Sequence, residues 1–195
     1  MQEKNLSEPP VPAFTLHPWS LWAGFVWGFA EATLFFIVPD VLLTFVALYS
    51  FRQSVKVLAC ILLGALVGGT LMFYAGQHSS DQSKAVVLRV PFVSPVMFDK
   101  THQSFERNGI WALTKGPASG IPYKVYCVQA SHYSGWPPFL VASVLARMER
   151  FALFWAIAGL LGLAFRKSIR RQPTITAAVH ACIWILGYAW YWTRI

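Results

Sequence analysis

The sequence is short of charged residues, and of acidic ones above all. Of its 195 residues, 12% are charged, with 16 Lys or Arg against 8 Asp or Glu. Soluble domains carry about 25% charged residues, whereas hydrophobic residues here reach 56%. With a mean hydropathy of +0.49, this composition predicts an all-α integral membrane protein.

Signatures of several other protein classes are missing. No basic run is interleaved with base-stacking aromatic residues, so the net charge of +8 is interpreted through the positive-inside rule and no nucleic-acid partner is expected. There is no His-Glu-x-x-His zinc motif and no Gly-x-Ser-x-Gly elbow, so no metal site and no cofactor are expected. Ser119 lies in a Gly-rich stretch without a His assigned to it, which leaves an intramembrane enzyme as the less favoured alternative.

Cysteine is also scarce, and no targeting segment stands out. Cys60, Cys127 and Cys182 lie in separate apolar stretches without metal-ligand spacing, and we expect them to be small core residues. The first 16 residues lack a basic start followed by an apolar core, so no secretory signal peptide is expected. Residues 1–18, with four prolines, are predicted to form a disordered tail.

The most informative stretch that is present runs over residues 25–48, inside a first broken segment at 19–49. It is long and apolar enough to enter a bilayer, yet it contains Glu31, Pro39 and Asp40. Carboxylates, and backbone polar groups that lose a hydrogen-bond partner because of a proline, are tolerated in a bilayer only when they are buried in protein or line a water-filled cavity. We therefore predict a re-entrant hairpin that turns near Pro39.

A second broken segment, residues 110–132, has the same character. Its sequence contains Lys115, Pro117, Pro122 and Lys124. The two prolines are the predicted hairpin breaks. Two polar, proline-broken segments in one small membrane protein predict a site at mid-membrane depth.

The remaining apolar stretches predict about three spanning helices and one interfacial helix. The spans are expected over residues 57–76, 139–165 and 175–192, with an amphipathic helix between residues 95 and 108. Gly64 and Gly68 form a small-residue strip that favours close helix packing, with homo-oligomerisation as the less favoured use.

The predicted organisation has four parts: the tail, a membrane domain over 19–165, a basic loop at 166–174 and a last helix over 175–195. The basic loop is expected to be cytoplasmic. If each broken segment returns to the face it entered, the two segments enter from opposite faces, as in an inverted repeat. A bacterial inner membrane is the expected location.

Three motifs resemble the DedA superfamily, whose domain is also called VTT or SNARE-associated Golgi. FAEATLFFIVPDVLL is similar to its first signature, FERNGIWALTKGPASGIPYKV to its second, and LARMERF to the compact YqaA-like branch. The resemblance spans roughly residues 19–165. It implies two facing re-entrant hairpins and a role in moving lipids or lipid-linked carriers, with protons as a coupling ion.

The resemblance also implies which residues would bind the substrate or ion. The acidic and basic positions of the family fall on Glu31, Asp40, Lys115, Lys124, Arg147 and Arg150.

Physical reasoning connects these residues to one another. A lone charge at the bilayer centre costs about 2.5–3.5 kcal/mol on insertion scales, so the charges are expected to be paired. Arg147 and Arg150 are three residues apart on one helix face, and we expect that face to meet Glu31 or Asp40. Guanidinium groups bind carboxylates and phosphates equally well. The alternative is that the paired charges only fix the structure of a non-transporting scaffold.

Overall fold

The computed structural model describes residues 17–193, and this range is helical without strands. The predicted tail therefore lies outside the described residues up to residue 16, as do residues 194–195. The helices are α1 (Trp19–Thr33), α2 (Asp40–Tyr49), α3 (Phe51–His78), α4 (Ser80–Val87), α5 (Pro95–Asn108), a 3-10 turn (Gly109–Trp111), α6 (Ala112–Ser119), α7 (Tyr123–Ala130), α8 (Trp136–Ala164), α9 (Arg166–Arg171) and α10 (Pro173–Trp192).

Helix α3 is the centre of the fold. The Ser50 hydroxyl caps its first turn by accepting a hydrogen bond from the amide of Gln53 at 3.3 Å, as N-cap serines do. Gly64 and Gly68 face α1 so closely that a Cβ at Gly64 would collide with the carbonyl of Phe25. The strip therefore packs helices within the chain, as expected, and a second copy could use it only by displacing α1.

The first broken segment consists of α1, residues 34–39 and α2. Helix α1 runs in the same direction as α3, since Gly24 lies beside Val57 and Ala32 beside Gly68. Pro39 stands immediately before α2, where its missing N–H costs nothing. Helix α2 then returns toward the start of α3, because only Ser50 separates the two helices. The chain breaks at Pro39 as predicted.

The second broken segment consists of α6, residues 120–122 and α7. Gly120 ends α6 with a left-handed backbone (φ +71°), and Pro122 precedes α7. Pro122 is a break as predicted, but Pro117 is not, because it lies inside α6. The helix ends where glycine permits a positive φ, three residues beyond that proline.

Both breaks lie at the same level of α3. Ala32, at the end of α1, contacts Gly68, and Tyr123, at the start of α7, contacts the adjacent Gly69. Helix α7 continues toward the end of α3, where Val128 meets Gly76. The first broken segment thus approaches this level from one end of α3 and the second from the other.

Two helices in the described range are long and apolar enough to cross a membrane, α3 and α10. The third expected span, α8, is long enough with 29 residues, but Arg147, Glu149 and Arg150 stand near its middle. Residues 95–108 form the predicted helix α5. The basic stretch expected as a loop is instead partly helical, since α9 occupies Arg166–Arg171 and Arg has a high helix propensity.

Candidate functional site

The two broken segments touch each other at their breaks. The ammonium of Lys124, in the first turn of α7, donates a hydrogen bond to the carbonyl of Phe35 at 2.9 Å. Phe35 belongs to the break after α1, where helical hydrogen bonding has ended. Lys124 is 1% exposed. The second segment therefore supplies a buried cation that binds a free carbonyl of the first.

A buried ion pair joins the first segment to α8. Arg147 donates to the carboxylate of Glu31, and both side chains are almost fully enclosed. The guanidinium lies over the ring of Tyr123 at 4.2 Å and near that of Phe151 at 5.1 Å. These rings add cation–π attraction. Helices α1, α7 and α8 thus meet at one arginine.

A second ion pair lies one turn further along α8. Arg150 donates to the carboxylate of Asp40 at 2.8 Å, and Asp40 is completely buried while the Arg150 side chain is 24% exposed. Asp40 is the first residue of α2, where the positive end of the helix dipole favours a carboxylate. The spacing of Arg147 and Arg150 therefore places them on the two acids as predicted.

The cluster as a whole carries more positive than negative formal charge. Three cations (Lys124, Arg147 and Arg150) stand against two carboxylates (Glu31 and Asp40). Buried polar atoms are usually hydrogen-bonded. Yet Oδ1 of Asp40 and Nε of Arg147 are buried with no hydrogen-bond partner among the described residues. The arrangement can accept an anion or a proton.

Helix α10 closes over both breaks through two tyrosines. The Tyr188 hydroxyl accepts a hydrogen bond from the Val38 amide at 2.7 Å, and the Tyr191 hydroxyl donates to the Gly120 carbonyl at 2.6 Å. One helix face thus binds the first break and the second. In the sequence alone, these tyrosines fit an interfacial aromatic belt. Their three-residue spacing, which places both on one helix face, was the available signal that they act together.

His180 of α10 is hydrogen-bonded rather than free. Its Nε2 lies 2.9 Å from the hydroxyl of Thr44, and the indole of Trp184 lies within 3.2 Å of both groups. This small polar network holds α10 against α2. It agrees with a packing role for His180.

Lys115, predicted as a site residue, lies outside the cluster. It is exposed and donates to the side-chain oxygen of Asn108 at 2.6 Å, which belongs to α5. The sequence places Lys115 in the same broken segment as Lys124, but α6 turns it outward. Glu149 is likewise exposed on α8, although both its helical neighbours at 147 and 150 face the acids.

The side chains in residues 17–193 form no group of three or more His, Cys, Asp or Glu that could hold a metal ion. Ser119 has local partners: its hydroxyl donates to the Gly116 carbonyl at 2.7 Å and lies 3.2 Å from the Tyr126 hydroxyl. No His is hydrogen-bonded to it among these residues. The three cysteines are free; Cys127 is buried, Cys60 is half-buried and Cys182 is exposed.

Another polar cluster lies away from the breaks, on α5. The ring of His102 contacts the Tyr133 hydroxyl through Nδ1 and lies 3.3 Å from the Glu106 carboxylate through Nε2. Burial raises the pKa of Tyr133 above its ordinary value, and the negative charge of Glu106 raises it further. This cluster ties α5 to the loop that follows α7.

The chain is similar to a protein of Haemophilus influenzae that carries only the description "Uncharacterized protein". The two are 25% identical over 168 residues, which cover 86% of each chain. No family model matches the chain, and no solved structure matches it. The similarity extends over nearly the whole chain and assigns no activity.

Proposed function

We propose that this chain is an integral protein of a bacterial inner membrane that moves an anionic lipid or a lipid-phosphate carrier between leaflets. In this proposal the two broken segments are re-entrant hairpins that enter from opposite faces. The two long apolar helices α3 and α10 support the membrane assignment. The resemblance of the motifs to the DedA superfamily supports the substrate class.

The observation that carries the proposal is the excess positive charge where the two breaks meet. Arg147 and Arg150 each face a carboxylate, and Lys124 adds a third cation on the carbonyl of Phe35, in a region that brings together α1, α2, α7 and α8. An anionic headgroup would balance the remaining charge, and guanidinium groups hold phosphate well. Glu31 and Asp40 are the groups that a coupled proton would use.

A liposome assay tests this function directly. Purified protein is reconstituted with phosphatidylglycerol that carries a fluorophore on its acyl chain, and an impermeant quencher reports lipids that reach the outer leaflet. We expect Glu31→Gln and Arg147→Gln to slow exchange by about tenfold or more, a barrier increase of about 1.4 kcal/mol. Glu149→Gln is the matched control, since that carboxylate on the same level of α8 is exposed.

Equal rates in all four proteins would contradict the site assignment. The same assay in mildly acidic and mildly basic buffer tests proton coupling. A rate that does not change with pH contradicts a titrating carboxylate in the transport step.

A non-transporting scaffold is the second candidate, and the almost complete burial of the Glu31–Arg147 pair favours it. Removing one partner of a buried pair costs about 3–5 kcal/mol because the other charge remains buried. Replacing both, as Glu31→Gln with Arg147→Gln, leaves no uncompensated charge. If the pair is only structural, the double variant should recover both stability and any activity of the protein. If the pair serves transport, it should recover stability alone.

A further inference from the structure

A groove lies between the first broken segment and α10. Its volume is about 470 Å³, within the range of about 300–1,000 Å³ that ligand pockets occupy. The residues lining it are apolar or aromatic and come from both sides, including Trp27, Phe35, Val41, Ala181, Ile185 and Tyr188. The groove therefore suits a hydrocarbon ligand.

Helix α10 is attached to the rest of the chain by a few hydrogen bonds and aromatic contacts, such as those of Phe45 with His180 and of Phe154 with Trp184. Helix α10 has no buried residue. Tyr49 donates to the Pro173 carbonyl at 3.1 Å near its start, and Tyr188 binds the Val38 amide near its end. Between these contacts, part of the apolar surface that faces α10 stays uncovered and forms the groove.

A cation lies near one side of the groove. Val41 lines the groove and is adjacent in sequence to Asp40, whose carboxylate binds Arg150. Arg150 is partly exposed, and among residues 17–193 its only hydrogen bond to a side chain goes to Asp40. A guanidinium has five N–H donors. Most of them can bind a second acceptor, such as a phosphate.

We infer that the groove binds the hydrocarbon chain of the transported lipid while the phosphate of that lipid binds Arg150. This inference rests on the proposed function and adds to it the position of the lipid in the protein. The apolar lining selects the chain, and the charge complementarity between Arg150 and a phosphate selects a phospholipid over a neutral lipid.

Photolabelling tests the inference on the full-length protein in nanodiscs. The probe is phosphatidylglycerol with a diazirine in its acyl chain, and labelled residues are located by mass spectrometry. We expect label on the groove-lining residues of α2 and α10. Ala181→Trp fills the groove and should reduce that label by about tenfold. Leu186→Trp is the control, since Leu186 is 69% exposed on the same helix and does not line the groove.

A second probe, diacylglycerol with the same photoreactive chain, tests the role of Arg150. Without a phosphate it should label the groove about tenfold less than phosphatidylglycerol does. Equal labelling by the two probes would overturn the pairing with Arg150. The distribution of labelled residues in the wild-type protein tests whether the lipid chain binds in the groove, without any variant. Label spread evenly over the outer face of α10 would overturn that claim.

The lipid-exchange rate, measured on the same proteins, separates this inference from the proposed function. Groove labelling without exchange would contradict transport and leave the lipid site in place. If Ala181→Trp exchanges lipid at the wild-type rate and is labelled as strongly as wild type, the groove is not the lipid site, and the proposed transport is unaffected.

Discussion

Helices α3 and α10 pass the same tests of length and hydropathy, yet they hold opposite positions in the structure. Half of the apolar stretch of α3 is buried, and none of that of α10 is. Helix α3 contacts α1 backbone to backbone at Gly28 and Gly64. Helix α10 is held by single hydrogen bonds such as that of Tyr188 and by aromatic contacts such as that of Trp192 with Phe92.

This difference shows that apolar composition does not determine what a helix does in such a fold. Close backbone approach through glycine makes α3 the fixed centre, because dispersion contacts form along the whole interface. Helix α10 has no buried residue and is held by scattered hydrogen bonds and aromatic contacts, so we expect its displacement to leave the core closed. The account therefore predicts that chemically identical changes in the two helices have very different effects.

The largest expected contrast compares two glycines. Gly64→Leu would place a side chain on the backbone of α1, and we expect it to cost about 3 kcal/mol or more, the upper end for overpacking. Gly187→Leu in α10 has open space around it and should change stability by no more than about 0.5 kcal/mol. Unfolding of both variants by denaturant in detergent micelles measures the two values. Similar losses in both would contradict the expectation that displacing α10 leaves the core closed.

Two lysines give the next contrast. Lys124→Met leaves the Phe35 carbonyl without its buried donor, so we expect a loss of about 1–3 kcal/mol. Lys115→Met removes only an exposed contact to Asn108 and should lie within about 0.5 kcal/mol of wild type. The same unfolding assay applies. The contact between the breaks is wrong if Lys124→Met is the milder of the two.

The smallest expected effects concern the tyrosines of α10. Tyr188→Phe and Tyr191→Phe each remove one hydrogen bond to a break, worth about 0.5–1.5 kcal/mol. Hydrogen exchange should become faster only in α10 and in the break that each tyrosine binds, residues 34–39 for Tyr188 and residues 120–122 for Tyr191, with α3 unchanged. Tyr74→Phe, at an exposed position of α3, is the control. Exchange that accelerates along α3 as well would show that α10 belongs to the core.

The charge pairs could be predicted from the sequence because helical spacing limits the options. Arg147 and Arg150 share a face, and a buried guanidinium needs a carboxylate. The first broken segment contains the acids Glu31 and Asp40 on either side of its break, and the structure pairs each with one arginine. The breaks at Pro39 and Pro122 followed from the missing amide of proline.

Other features depended on tertiary contacts that the sequence does not contain. Lys115 and Lys124 look equivalent along the chain, but only the packing of α6 turns Lys115 outward. Pro117 is tolerated inside α6 because a short helix has few carbonyls left to satisfy. The roles of Tyr188 and Tyr191 depend on where α10 lies, and nothing local distinguishes them from interfacial tyrosines.

Spin-label depth measurements in liposomes test the central claim that the two breaks meet inside the bilayer. A single label at Leu34 reports the first break, and one at Ala118, two residues before Gly120, reports the end of α6 next to the second break. Labels at Lys56 and Gln77 report the two ends of α3, and all variants are made in a chain whose cysteines are replaced by alanine. The account predicts that oxygen accessibility exceeds that of a water-soluble nickel reagent at Leu34 and Ala118, and that the reverse holds at Lys56 and Gln77. If the nickel reagent reaches either of the labels at Leu34 and Ala118 as readily as those at the ends of α3, the claim that the breaks meet inside the bilayer is contradicted.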